Sequence, residues 1–453
     1  MPTRSPTLAT AIRRHWPCFA VALIVASPAA SQVRDDRPTS PVAEHEVMQG
    51  FPPSAERQLS RGSGLRPPYM RWAFRHAREM SATAGIRHAD RPLALDGQPG
   101  AELDGATFTV GDKTISLADY LRVTHTDGFI VLHQAGSSTS ATLPASVRTS
   151  RTSGVDDEIG DGAACGHADR TGQARSAGPA RAVRTGARRQ SVRRGDGAAE
   201  PRHGSAGRLP RRLPPDLGLF GAVGIVPRKP DAPDTIYDFL KVVHATGRPD
   251  SSADGGVWYY QNGSPEAVAW ALRRITGKSW SQLVSEMIWS RFADDDAYVQ
   301  VDRLTTEMAS GGMNSTLRDA ARFAEAVRRA AAGDGSAGIS PAAVRIALKP
   351  ATNQARFARG NITPGRDGYG YRHYWFQRND GDGSVEASGR FGQKIYINPA
   401  KGLTVVKFSA SPDGAARATS AAGLRKRDDP ARVLESSEAM VAAALAIHRA
   451  VGR

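Results

Sequence analysis

The sequence has few of the cysteines that stabilise small disulfide-bonded or metal-binding domains. Among its 453 residues only Cys18 and Cys165 are cysteines, so neither a disulfide framework nor a Cys/His metal spacing can be drawn from it. No apolar run is long enough to cross a bilayer as a helix. The remaining composition, 40% hydrophobic and 23% charged, is that of a globular chain with one large or two ordinary domains.

The net charge of +15 suggests at first an acidic partner such as nucleic acid. However, residues 135–215 hold 14 arginines and 7 acidic residues and so supply +7 of that charge. The rest is spread thinly, with no basic helix and no Lys/Arg stripe interleaved with aromatic residues. We therefore predict no nucleic-acid partner.

The first 30 residues have the three parts of an export signal. A basic region with Arg13 and Arg14 is followed by an apolar run at 18–26 and by small residues at 27–30. The alternative is that translation begins at a different start codon, in which case these residues have no targeting function. We predict a signal peptide at 1–30, a periplasmic or secreted protein, and no stable membrane insertion after the signal is removed.

The rest of the chain divides into a linker and one interrupted domain. Residues 31–47 are polar and contain proline, as in a disordered linker, and we assign 48–453 to a single domain. Short strands and helices alternate on both sides of residues 135–215, and a helix closes the chain. Residues 135–215 lack Phe, Trp, Tyr, Lys, Met and Asn and show no periodicity, so they interrupt the domain as a disordered or frame-shifted segment.

A Tyr-x-Asn pattern, Tyr260 to Asn262, stands immediately before a predicted helix that Ser264 caps and Pro265 begins. A phenol at such a turn can take and return a proton if nearby cations lower its pKa. The alternative is a tyrosine that only packs on a loop, which is the commoner case for a single tyrosine.

Two glycine-rich segments complete the candidate chemistry. Residues 388–393 run through Gly389, Arg390 and Gly392 to Gln393 at the start of a strand. Glycines there let a substrate approach the backbone, where a free N–H can serve an oxyanion; the alternative is a tight β-bulge. Residues 309–319 are a Gly-rich turn into a helix capped by Ser315, which we interpret as structural.

In this order and spacing the three patterns resemble the serine β-lactamase/penicillin-binding-protein superfamily, in particular its 6-aminohexanoate-dimer hydrolase-like branch. The likeness covers residues 48–134 and 217–453. It is carried by Gly50-Phe51-Pro52-Pro53, Trp72-Ala73-Phe74-Arg75-His76, Asp127-Gly128-Phe129, Pro227-Arg228-Lys229, Gly311-Gly312-Met313, Tyr369-Gly370-Tyr371 and Phe391-Gly392-Gln393. The chain departs from the branch at Asn262 and Ser264, where the branch usually has Ser and Asn.

The resemblance implies an α/β (α+β) fold: a β-lactamase/transpeptidase-like antiparallel sheet flanked by helices, plus a helical subdomain. It also implies a serine hydrolase that cleaves a small-molecule ester or amide through an acyl-serine, without metal or cofactor. Tyr260 would take the proton-transfer role, while Asn262, Arg390, Gly392 and Gln393 would form the oxyanion and substrate-binding positions. The alternative is a non-catalytic envelope binding protein that uses the same cleft.

The decisive departure is that no serine in the chain has a lysine three residues later. The family places this Ser-x-x-Lys motif shortly after the strand that matches 128–133, where the unusual segment begins. If the reading frame is shifted forward by one nucleotide at codons 155–159, four consecutive new codons result. They permit Ser first, then two residues that must each be Met or Thr, then Lys or Arg. The continuation permits the apolar helix SMTKSVTGLLAG. We therefore expect a frame shift here, and a chain as written that is inactive in the family's acyl-serine reaction.

Overall fold

The computed structural model describes residues 43–133, 215–242, 258–412 and 433–451, with short gaps inside these ranges. It also places strand segments at 138–140, 151–153, 207–208 and 244–245. The predicted signal peptide, residues 31–42 of the predicted linker and most of 135–215 lie outside the described residues. No helix in the described ranges is both long and apolar enough to cross a membrane.

The elements are numbered in chain order. The helices are α1 Met70–Arg75, α2 Ala77–Met80, α3 Leu117–Val123, α4 Pro215–Ala222, α5 Ile236–Val242, α6 Gly263–Thr276, α7 Trp280–Met287, α8 Leu317–Ala331, α9 Pro341–Ala347, α10 Gln354–Ala358 and α11 Ser437–Val451. The strands are β1 Thr83–Ile86, β2 Gly97–Pro99, β3 Thr107–Val110, β4 Lys113–Ser116, β5 Thr126–His133, β6 Ser138–Ser140, β7 Arg151–Ser153, β8 Gly207–Arg208, β9 His244–Ala245, β10 Ala297–Gln300, β11 Met313–Thr316, β12 Gly370–Arg372, β13 Trp375–Gln377, β14 Val385–Ser388, β15 Lys394–Asn398 and β16 Leu403–Ser409.

The main sheet has six antiparallel strands in the order β12-β13-β14-β15-β16-β5. Alternate residues of its strands point to opposite faces, so each face has its own core. The first face, with Ile395 of β15 and Val406 of β16, packs under α8. The second, with Tyr396 and Val405, packs under α11. The sheet is therefore buried between helices on both sides.

A smaller sheet, in the order β1-β10-β11-β7, shares the core under α8. Its strand β11 leads directly into α8, whose N-cap is Thr316, with the hydroxyl accepting the N–H of Asp319. The predicted cap Ser315 is wrong by one residue: the Thr316 hydroxyl takes the capping bond, and the Ser315 hydroxyl donates to the Thr316 carbonyl instead. The Gly-rich turn therefore leads through a strand into the helix.

Helices α4, α5 and α6 pack into a separate apolar cluster that forms the helical part of the molecule. The cluster includes Phe220, Phe239, Trp270 and Met308. Together with the helix-covered antiparallel sheets, it confirms the predicted α/β (α+β) class.

Two of the segments that carry the resemblance contact each other. Arg71 of α1 places its Nε 2.6 Å from the Asp127 carboxylate, and Arg75 places a terminal nitrogen 3.5 Å from it. Burial raises the pKa of Asp127, and the two guanidinium groups act against that rise. This pair of contacts fixes α1 at the beginning of β5.

Residues 370–377 form two strands, β12 and β13, joined by a tight turn at His373 and Tyr374. Both residues have positive φ, 45° and 67°. Left-handed conformation is uncommon for such bulky residues, and glycine or asparagine is the usual signal of such a turn. Because neither stands here, the sequence does not mark the turn.

Little of the interrupting segment is described. Within 135–215, β6 pairs with β2, β7 with β11, and β8 with β9. The remainder lies outside the described residues, apart from the beginning of α4. The expectation that this segment lacks a stable fold stays a prediction.

Candidate active site

Tyr260 lies just before α6, with its ring held by other aromatic rings. It stacks on Phe376 at a centroid distance of 6.4 Å and an interplanar angle of 4°. It also meets Trp258 at 6.1 Å and Tyr371 at 6.4 Å, both edge to face. The ring is therefore fixed against β12 and β13, as a group that transfers protons between fixed atoms needs to be.

Asn262 occupies the N-cap position of α6, and the helix begins at Gly263. The prediction that Ser264 caps this helix is therefore wrong: Ser264 and Pro265 are buried within the first turn. Proline is tolerated there because the first-turn N–H groups have no intrahelical partner. The cap shifts by two residues, which puts Asn262 beside the candidate tyrosine.

The loop from Gly389 to Gly392 joins β14 to β15 as a short 3-10 turn, not as the β-bulge that was the alternative. Phe391 has φ 61° and Gly392 has φ 90°. A Cβ on Gly392 would lie 3.1 Å from both the Ser409 Cβ and a Glu435 carboxylate oxygen. Glycine is required here both by the backbone conformation and by the lack of space.

Arg390 points its guanidinium toward the helical part of the molecule. Its central carbon lies 5.2 Å from the ring centre of Phe220 on α4. A guanidinium over an aromatic face is attracted by the ring electrons, so this contact ties the loop to α4. The described contacts thus place Arg390 between the sheet and the helices.

Gln393 is fully buried and its side chain bonds to the neighbouring strand. Its Nε2 donates to the Ser409 carbonyl at 2.5 Å, and its Oε1 accepts the Ser409 N–H at 3.0 Å. These two bonds use both ends of the amide to hold β15 against the end of β16. A substrate-binding role for Gln393 stays a prediction.

Arg390, Gly392 and Gln393 thus come together in one turn. Tyr260 is linked to that turn through two adjacent strands: it stacks on Phe376, whose partner on β14 is Glu386. Strand β14 ends at Ser388, directly before the turn. Hydrogen-bond contact between the Tyr260 hydroxyl and the oxyanion donors stays a prediction.

Sequence analysis missed Glu266, a fully buried carboxylate on α6. It accepts the N–H groups of Ala309 at 3.2 Å and Ser310 at 2.9 Å, at the beginning of the Gly-rich turn. Burial raises its pKa to about 7, against the lowering effect of these bonds and of Arg273. It ties the Gly-rich turn to the helix that follows Tyr260. A single glutamate in a first turn is too common to have been singled out.

Lysines on two strands were also missed. Lys394 and Lys407 face each other across β15 and β16, and both are buried. The Lys407 ammonium donates to the Gly392 carbonyl at 3.3 Å. In the described part of the chain, no three or more His, Cys, Asp or Glu side chains are grouped so that they could hold a metal ion.

Residues 224–428 match the family model described as Beta-lactamase, and this range includes Tyr260 and the Gly389–Gly392 turn. A curated relative, the 6-aminohexanoate-dimer hydrolase of Paenarthrobacter ureafaciens, is 27% identical over 187 residues. That alignment covers 41% of this chain and 46% of the relative, so under half of the relative's length is matched.

Among solved structures, a Bacillus anthracis protein described as a candidate 6-aminohexanoate-dimer hydrolase superposes with a TM-score of 0.66 and 23% identity. The match covers 83% of this chain and 97% of that one. At this identity the likeness establishes the fold. The resemblance predicted from the motifs is confirmed by the three comparisons together.

Proposed function

On the premise that this chain carries a beta-lactamase family domain over residues 224–428, we propose that it is the body of a serine hydrolase. The reaction is cleavage of an ester or amide through an acyl-serine intermediate, without metal or cofactor. The observation that supports this most is Tyr260, fixed by three aromatic rings inside the matched range and beside the N-cap of α6.

The proposed mechanism assigns one task to each part of the site. A Ser-x-x-Lys motif supplies the nucleophile and its base, and Tyr260 relays the proton to the leaving group. The backbone N–H of Arg390 or of a neighbour in the turn, together with the N–H of the serine, holds the oxyanion. Asn262, Gly392 and Gln393 line or shape the pocket. Support comes from the conformation of the turn, which requires glycine at 392.

The chain as written lacks this nucleophile, and we propose that residues 135–215 contain it in another reading frame. The test is the nucleotide sequence across codons 133–217. Compensating single-nucleotide changes that restore a Ser-x-x-Lys codon run near codon 155 would support the proposal. A gene whose codons at 155–159 exclude Ser and Lys in both alternative frames would contradict it.

A second candidate is a non-catalytic envelope binding protein that uses the same cleft. It is favoured by one observation, the absence of any serine followed three residues later by lysine. Both candidates take a small ester or amide as ligand and neither requires nucleic acid.

The frame-restored protein separates the two candidates. We expect it to hydrolyse an activated ester with a burst, and mass spectrometry to find the acyl group on the restored serine. A linear amide such as the 6-aminohexanoate dimer is the first natural-type substrate to try, given the relatives. A restored protein that folds but never acylates would establish the binding-protein alternative.

We also propose that the protein is exported, to the periplasm or the medium. N-terminal sequencing of the mature protein should begin near residues 30–32, after the small residues of the signal. Recovery of an intact Met1 from a soluble cytoplasmic pool would contradict this.

A further inference from the structure

A serine and a lysine are hydrogen-bonded at the end of β14, outside any Ser-x-x-Lys motif. The Lys394 Nζ lies 2.7 Å from the Ser388 Oγ. The two residues are directly opposite each other on β14 and β15, so the backbone register fixes their separation. A hydroxyl within hydrogen-bond distance of an amine is the basic geometry of an activated nucleophile.

The Lys394 amine is buried without a close carboxylate. In the part of the chain that the structure describes, its one hydrogen-bond partner is Ser388, and no carboxylate lies within ion-pair distance of it. Burial removes hydration that the Ser388 hydroxyl and the more distant Glu386 and Glu435 replace only in part, so the neutral amine is favoured.

The charged groups that face this amine come from four parts of the chain. Arg366 and Lys407 lower its pKa, Glu386 and Glu435 raise it, and burial is the largest effect. The result is a pKa of about 8 for Lys394. A substantial fraction of the amine is therefore neutral near physiological pH and can accept a proton.

The serine, by contrast, is less buried than the lysine. Ser388 is only partly buried, while Lys394 is 7% exposed. Directly after Ser388 comes Gly389, a residue without a side chain that could cover the hydroxyl. A nucleophile less buried than its base is the arrangement that attack on an external electrophile requires.

We propose that Ser388 and Lys394 form a nucleophile–base pair that takes an acyl or phosphonyl group from a small activated ester, separate from the family's missing motif. The Ser388 proton passes to the Lys394 Nζ as the serine oxygen bonds to the electrophilic carbon or phosphorus. The leaving alcohol of an ester takes that proton. With a fluorophosphonate the P–F bond breaks, fluoride leaves, and the lysine proton passes to solvent.

The test uses the full 453-residue chain and an alkyl fluorophosphonate, with peptide mass spectrometry to locate the adduct. We expect one adduct, on Ser388, with two helix-cap serines that are partly buried like it, Ser279 and Ser340, unmodified as internal references. The rate should rise with pH around a midpoint near 8, as Lys394 loses its proton. No adduct on Ser388 in folded protein, or equal labelling of several serines, would overturn the proposal.

Variants at the lysine distinguish a base from a merely structural partner. Lys394→Met keeps the apolar stem and should lower the labelling rate by about 10²–10⁴-fold, the usual effect of losing a general base. Lys394→Arg keeps a donor that cannot act as a base, so it should be equally slow, and it serves if Lys394→Met does not fold. Labelling by either folded variant at the wild-type rate would overturn the proposal.

Lys407→Met is the matched control because it removes the other buried lysine of the same strand pair. Loss of a neighbouring positive charge raises the pKa of Lys394, so the midpoint should move to higher pH while the rate at high pH is kept. An unchanged midpoint would show that Lys394 does not control the reaction.

This site does not depend on the proposed hydrolase activity, and Ser388→Ala separates the two. The frame-restored protein carrying Ser388→Ala should still acylate the restored serine. The chain as written carrying Ser388→Ala should lose its adduct. Failure of the first result counts against the hydrolase proposal alone, and persistence of the adduct in the second counts against the Ser388 site alone.

Discussion

Glu266 is an ionisable residue placed where its charge is costly. Both of its oxygens are used to hold the backbone of the Gly-rich turn, yet no water reaches the carboxylate. Because its pKa rises from 4.5 to about 7 on folding, the folded state keeps a proton that the unfolded chain has released between these values. Its contribution to stability is therefore greatest below pH 4.5 and falls as pH rises through 7.

Glu266→Gln should remove this pH dependence. Between pH 5 and 8 the free energy of unfolding of the wild type should fall relative to that of the variant, measured by urea denaturation at several pH values. Glu307→Gln is the control, because Arg273 and Ser281 hold the pKa of Glu307 below its usual value although burial opposes them. It should keep the wild-type slope in this range. A Glu266→Gln curve parallel to wild type would contradict the prediction.

Tyr260→Phe tests the proton-transfer role without disturbing the aromatic packing. Phenylalanine keeps the ring contacts to Trp258, Tyr371 and Phe376 and removes only the hydroxyl. In the frame-restored protein we expect turnover of an activated ester to fall by about 10²–10⁴-fold with little change in thermal stability. Tyr237→Phe, another tyrosine packed on an aromatic ring, should leave turnover unchanged. Full turnover by Tyr260→Phe would exclude this tyrosine from the mechanism.

At the scale of elements, Gly128 of the main sheet lies directly against the first residue of α8. A Cβ on Gly128 of β5 would lie 2.6 Å from a methyl group of Leu317, the first residue of α8. Contacts that close force the helix or the side chain to move. The Asp127-Gly128-Phe129 segment that carries part of the resemblance therefore also sets how closely helix and strand approach.

Gly128→Ala should destabilise the protein by about 1–3 kcal/mol through overpacking, measured by chemical denaturation. Gly85→Ala is the matched control: it lies on β1, and its new Cβ would meet nothing within 4 Å. It should change stability by no more than about 0.5 kcal/mol. The pair Gly128→Ala with Leu317→Val should cost less than the sum of the two single changes, since the shorter side chain makes room. If the losses of stability in the two single variants simply added, the strain would not come from the contact between position 128 and Leu317.

Element types were largely predictable from the sequence, while their ends were not. The structure contains the predicted alternation of short strands and helices on both sides of residues 135–215, and the predicted closing helix is α11. The β12–β13 turn could not be predicted, because His373 and Tyr374 take a conformation that their side chains disfavour. The N-cap of α6 was misplaced because Ser264 and Pro265 look like a helix start, although the first turn already includes them.

At the scale of the whole molecule, the fold followed from motifs spread over the chain, whereas the arrangement of the site did not. The spacing of residues in the sequence cannot show that the Gln393 side-chain amide hydrogen-bonds to the Ser409 backbone, or that Lys394 lies against Ser388. Both depend on strand register, which only the complete sheet defines. Tyr260, Arg390 and Gly392 were found because family motifs mark them, and buried charges such as Glu266 carry no such mark.

The interrupting segment gives a prediction for the whole chain. If residues 135–215 are out-of-frame sequence, limited trypsin digestion should cut first at their 14 arginines and leave the two flanking parts intact. Mass spectrometry of the fragments should place the earliest cuts between residues 148 and 212, the first and last of these arginines. Early cleavage in the basic α8 instead, with this segment protected, would argue for a genuine folded insert.

The main sheet brings its earliest strand beside its latest. Strand β5 ends at His133 and pairs with β16, which begins at Leu403, so the ladder joins residues about 270 positions apart. A ribosome adding residues at ordinary speed takes roughly 10–60 s to cover that distance. During that time β5 exposes an apolar edge whose partner has not been synthesised, and such edges recruit other chains. We therefore expect the nascent protein to need protection from association until the last hairpin arrives, and its folding rate to be limited by that long-range pairing.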